Sequence, residues 1–311
     1  MDNTLFLGNG FSRSIFNNMP SWSDLFDGAS NSINNNTILY EIARLNAGNN
    51  GDDENKVKTQ IIDKINANFT SDNINRDVRY INCFGKFLSD NHVNNIITTN
   101  YDKGIEFILC QMCGYKEQTH DDIDAELVYS IRTYILFTNE ELHHTVKLWK
   151  IHGDFDRIKS VTLGFDQYCG ALSKLNDYVK GKYKSSKASN QRNTCSIPMK
   201  TKCSNQVFDD ISWAELFFKT NIFIAGFGMD FSEIDIWWLL NKRARFMLEI
   251  PEIKNTISYL YDTKYETPET KSAIFDALHS FRVLCKPIKS DSNYIQRIFK
   301  HISTVTKEQE S

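Results

Sequence analysis

The sequence predicts an α/β fold built on a mostly parallel sheet flanked by helices. Two observations carry this. Short apolar runs ending in Gly, Asn or Asp recur along the chain, separated by longer amphipathic stretches, which is the alternation of strands with crossover helices. Several of those runs are continuously apolar rather than alternating, as strands covered on both faces are. A chain of 311 residues buries a sizeable core, and its length fits one large domain carrying an insertion.

In order, the expected strands are 4–7, 95–99, 146–151, 160–163, 221–225, 256–261 and 281–285. The interval between the first two is too long for one crossover helix. Within it, Ile61, Ile62 and Ile65, then Val78, Ile81, Phe84 and Phe87, recur at helical spacing after the polar stretch 48–56, so a helical insertion is expected over roughly 28–93. The interval 101–145 is expected to add helices to it. Residues 182–205, rich in Ser, Lys and Asn without a usable period, are expected to form a mobile surface loop.

Composition narrows the function classes. Hydrophobic residues make up 41% and charged residues 24%, ordinary for a folded soluble protein. The net charge of −3 gives no general attraction to nucleic acid or anionic lipid. The N-terminus lacks a basic segment ahead of its short apolar run, and no apolar run approaches the ~20 residues that span a bilayer, so a cytoplasmic protein is expected. Seven cysteines, an odd number, read as reduced thiols. Only Cys110 and Cys113 form a CxxC, and the second pair of a zinc ribbon is missing, so no metal site is expected.

Four strand ends carry polar or Gly-rich signals. The first strand runs into Gly8-Asn9-Gly10-Phe11-Ser12-Arg13, where a Gly-rich turn and a helix start bring backbone N–H groups to a phosphate. The third Gly of the dinucleotide fingerprint is absent, which disfavours a conventional dinucleotide-binding oxidoreductase, and a tight turn would use the same residues. Trp22, in a turn just downstream, fits a core anchor or the wall of a nucleotide site. The second strand ends in Thr99-Asn100-Tyr101-Asp102, at the edge where parallel sheets gather ligands; taken alone, helix capping explains it equally. His152, followed by Gly153, falls at the end of the third run and is a candidate general base. The fourth signal, Gly226-Phe227-Gly228-Met229-Asp230, precedes a marked helix start whose first turn carries Glu233 and Asp235. The joint occurrence of the four exceeds any one of them. Trp237, Trp238 and Phe246 on that helix face either the core or a subunit interface.

Read together, GNGFSRS with MPSWSDLF, then ITTNYDKGIE, KLWKIHGDFDR with SVTLGFDQY, and FIAGFGMDFSEIDIWWLL resemble, in order and wording, sirtuin-like domains of bacterial antiphage defence proteins, from residue 3 to about 240. The resemblance implies a Rossmann-like NAD-binding sheet with a smaller helical subdomain, and cleavage of the nicotinamide–ribose bond of NAD to nicotinamide and ADP-ribose. By the same resemblance, Gly8, Gly10 and Ser12 form the phosphate loop. Asn100 and Asp102 stand near the nicotinamide ribose and carboxamide, and His152 matches the sirtuin catalytic His. Gly226 and Gly228 line the nucleotide site. Asn9, Phe11, Arg13, Trp22, Thr99, Phe227 and Asp230 complete the expected NAD contacts. Asn9 replaces the Ala usual in the first turn. Pro20-Ser21-Trp22-Ser23 replaces the Pro-Asp-Phe-Arg segment of deacylating sirtuins, and the zinc cysteine quartet is absent. The last two departures argue against a protein deacylase. An NAD-depleting effector must be restrained, and the chain ends soon after its last expected strand and helix, so gating by a partner protein of the same defence system or by homo-oligomeric assembly is expected. The alternative is a sensor that binds NAD or an ADP-ribose derivative without turning it over.

Overall fold

The structure is a computed structural model describing residues 2–17, 19, 25, 35–47, 53–66, 73–74, 79–118, 128–129, 131–184, 194–289 and 294–310. Trp22 lies outside them. The chain opens with β1 (Asn3–Leu7) and α1 (Asn9–Ile15), followed by α2 (Asn36–Ala47), α3 (Asp53–Asn66), a 3-10 turn at Arg79–Cys83 and α4 (Phe84–Asp90). Next come β2 (Val93–Thr98), α5 (Gly104–Phe107) running into a π-helical turn at Ile108–Met112, and the strands β3 (Lys116–Gln118), β4 (Ile135–Asn139) and β5 (His144–Lys150). Then follow α6 (Phe165–Val179), a small hairpin of β6 (Tyr183–Lys184) and β7 (Thr194–Cys195), α7 (Met199–Asn205), α8 (Trp213–Lys219) and β8 (Asn221–Ala225). The chain closes with α9 (Ile234–Phe246), β9 (Ile257–Asp262), α10 (Ser272–Ser280), β10 (Leu284–Ile288) and α11 (Tyr294–Glu310).

Eight strands form one sheet in the order β10-β9-β8-β1-β2-β5-β4-β3. From β10 to β5 every pair is parallel, while β4 pairs antiparallel with both β5 and β3. This mixed, mostly parallel sheet is a Rossmann-like fold. Alternate residues face opposite layers: Leu5, Leu7, Ile96, Leu148 and Phe223 enter one core, while Phe6, Ile97, Trp149, Ile222 and Ile224 enter the other. Both faces of the central strands are covered, which is why they read as unbroken apolar runs. The chain leaves β1 toward β2 on one side and reaches β8 on the other, so β1 marks the switch point where ligands of such sheets bind.

Four expectations need correction. Residues 160–163 are buried but belong to no strand; Ser160 ends a 3-10 turn, and the stretch packs under Tyr101, whose hydroxyl donates to the Thr162 carbonyl at 2.5 Å. The interval 101–145 supplies β3 and β4 as well as a helix. Within 182–205, β6, β7 and α7 stand where a loop was expected. The last strand begins three residues late, because Phe281 and Arg282 turn with Arg282 at φ 59. Pro287 then sits in an edge strand, where a missing N–H costs no ladder bond. Trp237 is buried and its indole N–H donates to the Asp230 carbonyl at 2.9 Å, so it faces the core.

The register Leu7↔Ala225 brings the two Gly turns into contact. Gly8 N donates to Ala225 O at 3.0 Å and Gly10 N to Gly226 O at 2.7 Å. A Cβ on Gly226, which has φ +62, would lie 2.4 Å from Phe11 N, whereas one on Gly228 would meet nothing closer than 3.8 Å. Gly226→Ala is therefore expected to destabilise the fold by at least about 1–3 kcal/mol. Gly228→Ala is expected to stay within about 0.5 kcal/mol of wild type. Urea denaturation of the two variants checks the contrast.

Candidate functional site

The carboxyl ends of β1, β2, β5, β8 and β9 open onto one cavity of ≈ 540 Å³, within the range of small-molecule sites. Of the residues expected there, Asn9, Gly10, Arg13, Thr99, Asn100, His152, Gly226, Phe227, Gly228 and Asp230 line it. Gly8, Phe11, Ser12 and Asp102 do not. Gly8 is the seam against Gly226, and Phe11 is a core residue packed on Phe84 with ring centroids 5.8 Å apart. The N–H groups of Gly8, Gly10 and Phe11 are spent on Ala225 O, Gly226 O and Gly8 O. The turn thus offers close approach of backbone, and the cation beside it is Arg13.

Asn100 is reached through a short relay. Thr98 donates its hydroxyl to Leu7 O at 2.7 Å and accepts from Asn100 N at 3.0 Å, and the Asn100 amide donates to Ser12 Oγ at 3.1 Å. Ser12 therefore orients Asn100 from behind the wall. Asp102 is buried and accepts from Gly104 N at 2.8 Å, opening α5. Burial raises its carboxyl to about 6, against the pull of Lys150.

Lys150, the last residue of β5, is a buried cation. Its Nζ donates to Tyr101 O at 3.1 Å, Asp102 O at 2.7 Å and Glu106 Oε1 at 2.8 Å, and lies 3.4 Å from Asp154 Oδ2. Burial opposes the charge, but Glu106 and Asp154 outweigh it and raise the ammonium pKa. One side chain thereby ties the loop bearing Asn100 to the loop bearing His152. Past His152 the chain must turn tightly: Gly153 has φ +103, and a Cβ there would meet Ser160 O at 2.3 Å.

His152 is 1% exposed and both ring nitrogens face carboxylates. Nε2 is 3.0 Å from Asp235 Oδ2, and Nδ1 is 3.5 Å from Glu233 Oε2. The Tyr168 ring stands edge-on to it at 5.3 Å, and the Tyr168 hydroxyl donates to Glu233 Oε2 at 3.1 Å. Burial disfavours the charged imidazole, but Asp235 and Glu233 more than offset this and raise it to about 9. Neither nitrogen is presented as a free base in this arrangement. Burial raises Glu233 to about 7, against the pull of the His152 charge. The acids that open α9, Glu233 at its N-cap and Asp235 in its first turn, legible only as partners of the helix dipole, are thus the second half of the site.

His152, Glu233 and Asp235 each offer one ligand-type atom within 4.8 Å of the others, a mixed N and O donor set suited to a divalent cation. Here the imidazolium supplies the positive charge between the carboxylates. The far end of the cavity, past β9, carries Asp262, Tyr265 and Glu266; Lys271 pairs Glu266 at 2.5 Å and donates to Gly228 O at 3.2 Å.

Residues 94–211 match the family model of the SIR2-like domain. The matched stretch takes in β2, β5 and the loops of Asn100 and His152, and with the sheet it supports a sirtuin-like domain. SIR2-like domains commonly act on NAD, so NAD-related activity is consistent with the match. No curated protein matches the chain. Among the described residues no helix is long and apolar enough to cross a membrane.

Removing the Lys150 charge while its carboxylates stay buried, as in Lys150→Met, is expected to cost about 3–5 kcal/mol in urea denaturation. A second expectation concerns pH. The folded pKa of His152 is raised from 6.5 to about 9, so its stabilisation is complete below 6.5 and is lost as pH rises toward 9. Unfolding free energy should therefore fall over that window, and His152→Gln should flatten the fall.

Proposed function

We propose that the protein is an NAD glycohydrolase that cleaves the nicotinamide–ribose bond to give nicotinamide and ADP-ribose. The observation that carries this is the single cavity lined by Asn100, His152 and both Gly turns, in a chain whose SIR2-like match spans the first two. NAD would lie along the sheet edge with its nicotinamide ribose at Asn100 and His152. Its diphosphate would cross Gly10 and Gly226 beside Arg13, and its adenosine would extend toward Asp262 and Tyr265.

The chemistry asks little of the leaving group, because nicotinamide departs from a cationic ring. The barrier lies in an oxocarbenium-like ribose, so a site that holds the ribose and presents negative charge favours the transition state. The Glu233 carboxylate lines that end of the cavity. Asn100, held through Ser12, orients a ribose hydroxyl or the attacking water. Unrestrained NAD loss would harm the producing cell, so the reading includes gating by a partner protein or by self-assembly, and a role as the NAD-depleting effector of a bacterial antiphage system.

Purified protein incubated with NAD, alone and with extract of phage-infected cells, is expected to release nicotinamide and ADP-ribose in the activating condition only. Asn100→Ala and His152→Ala are expected to lower that release by about 100-fold or more. Binding of NAD with no nicotinamide released in any condition would make the protein a sensor. Full activity of the purified chain by itself would remove the gate.

A further inference from the structure

The reaction proposed above liberates a proton, and the triad around His152 indicates where it goes. We infer that Glu233 accepts the proton of the attacking water, while Asp235 and His152 fix its position and charge. This rests on the glycohydrolase reading and departs from the expectation that the histidine is the base.

Geometry separates the three members. Asp235 is 2% exposed, does not line the cavity, and spends its other oxygen on Ile236 N at 2.9 Å. His152 lines the cavity but has Nε2 on Asp235 and Nδ1 toward Glu233. Glu233 lines the cavity, and its side chain is 13% exposed. One of its oxygens, Oε2, is fixed by the Tyr168 hydroxyl and faces His152 Nδ1. The groups facing Glu233 are His152 from the loop after β5, Tyr168 from α6, Tyr101 from the loop after β2, Asp235 on its own helix and Asp230 in the preceding turn. Of the other acids near this end, Asp230 uses Oδ1 to accept Ser232 N at 2.8 Å, and Asp102 is outside the cavity. The water oxygen forms its bond to C1′ as the C1′–N bond breaks. That bond's electron pair leaves with neutral nicotinamide, and the water proton passes to the Glu233 carboxylate. NAD cation and water thus give nicotinamide, ADP-ribose and one proton.

The test measures nicotinamide release against pH for wild type and Glu233→Gln in the activating condition, with NAD binding followed separately. The wild-type kcat is expected to rise with pH through a limb centred at about 7. Glu233→Gln is expected to lose about 10²–10⁴-fold in kcat, still to bind NAD, and to show no limb. Azide carries no proton to remove, so it should restore nicotinamide release to Glu233→Ala and yield ADP-ribosyl azide, a product that a merely structural defect would not give. Wild-type turnover in Glu233→Gln, or a limb retained there and lost in His152→Gln, overturns the assignment. Should neither Glu233 variant fold, Tyr168→Phe decides: losing the hydroxyl that holds Glu233 Oε2 is expected to move the limb to higher pH, and an unmoved limb overturns the assignment. Wild type that binds NAD but releases no nicotinamide defeats the glycohydrolase reading itself, before any variant is made.

Discussion

The candidate site depends on one buried cation. Lys150 ends the strand that leads to His152, and its ammonium is held by the carbonyls of Tyr101 and Asp102 and by the carboxylates of Glu106 and Asp154. The ladder between β2 and β5 closes with Ile151 N donating to Thr98 O at 3.0 Å; beyond it this ammonium joins the two loops, with Lys103 3.8 Å from Asp154 Oδ1 and the Tyr101 hydroxyl on Thr162 O as lesser ties. A buried ammonium is costly unless every donor is met, and that requirement works as a positional constraint. Meeting those donors holds the loop of Asn100 against the loop of His152, and both residues line the same cavity.

The opposite wall is set by sterics rather than charge. The turns after β1 and β8 touch backbone to backbone, with room for no Cβ at Gly8, Gly10 or Gly226. This close seam consumes N–H groups that a phosphate would otherwise use. It gives in return a smooth floor across the switch point, with Arg13 as the adjoining cation and the start of α9 carried toward His152. Steric closeness on one side and ionic pairing on the other thus fix the two ends of the same cavity.

Much of this was legible in the sequence, and the exceptions share a cause. Asn100 and His152 stood out because polar residues interrupt apolar strands at their carboxyl ends, a local signal. The strand Asn221–Ala225 was legible to its exact ends for the same reason. Glu233 and Asp235 looked like ordinary first-turn acids, since their partner lies 83 residues from Asp235. Lys150 looked like one more charged residue at a strand end, because burial of an ammonium depends on carboxylates gathered from elsewhere. Residues 160–163 have a strand's composition but owe their burial to packing beneath Tyr101. β3, Lys-Glu-Gln with every residue exposed, carries no apolar pattern at all.

The ionic triad also suits the charge course of the proposed reaction. Above about pH 7 Glu233 is ionised while His152 stays protonated, and the triad carries a net negative charge. Nicotinamide arrives within NAD as a cationic ring, and this negative charge favours it. Cleavage leaves nicotinamide neutral and frees a proton; when Glu233 takes that proton, the triad becomes neutral too. Positive charge is passed from substrate to protein without building up in a buried space, where an unpaired charge is most costly. A free neutral histidine would have to gain a charge at that moment. The preformed imidazolium between two carboxylates does not, so the proton is accommodated with little rearrangement of the surrounding dipoles.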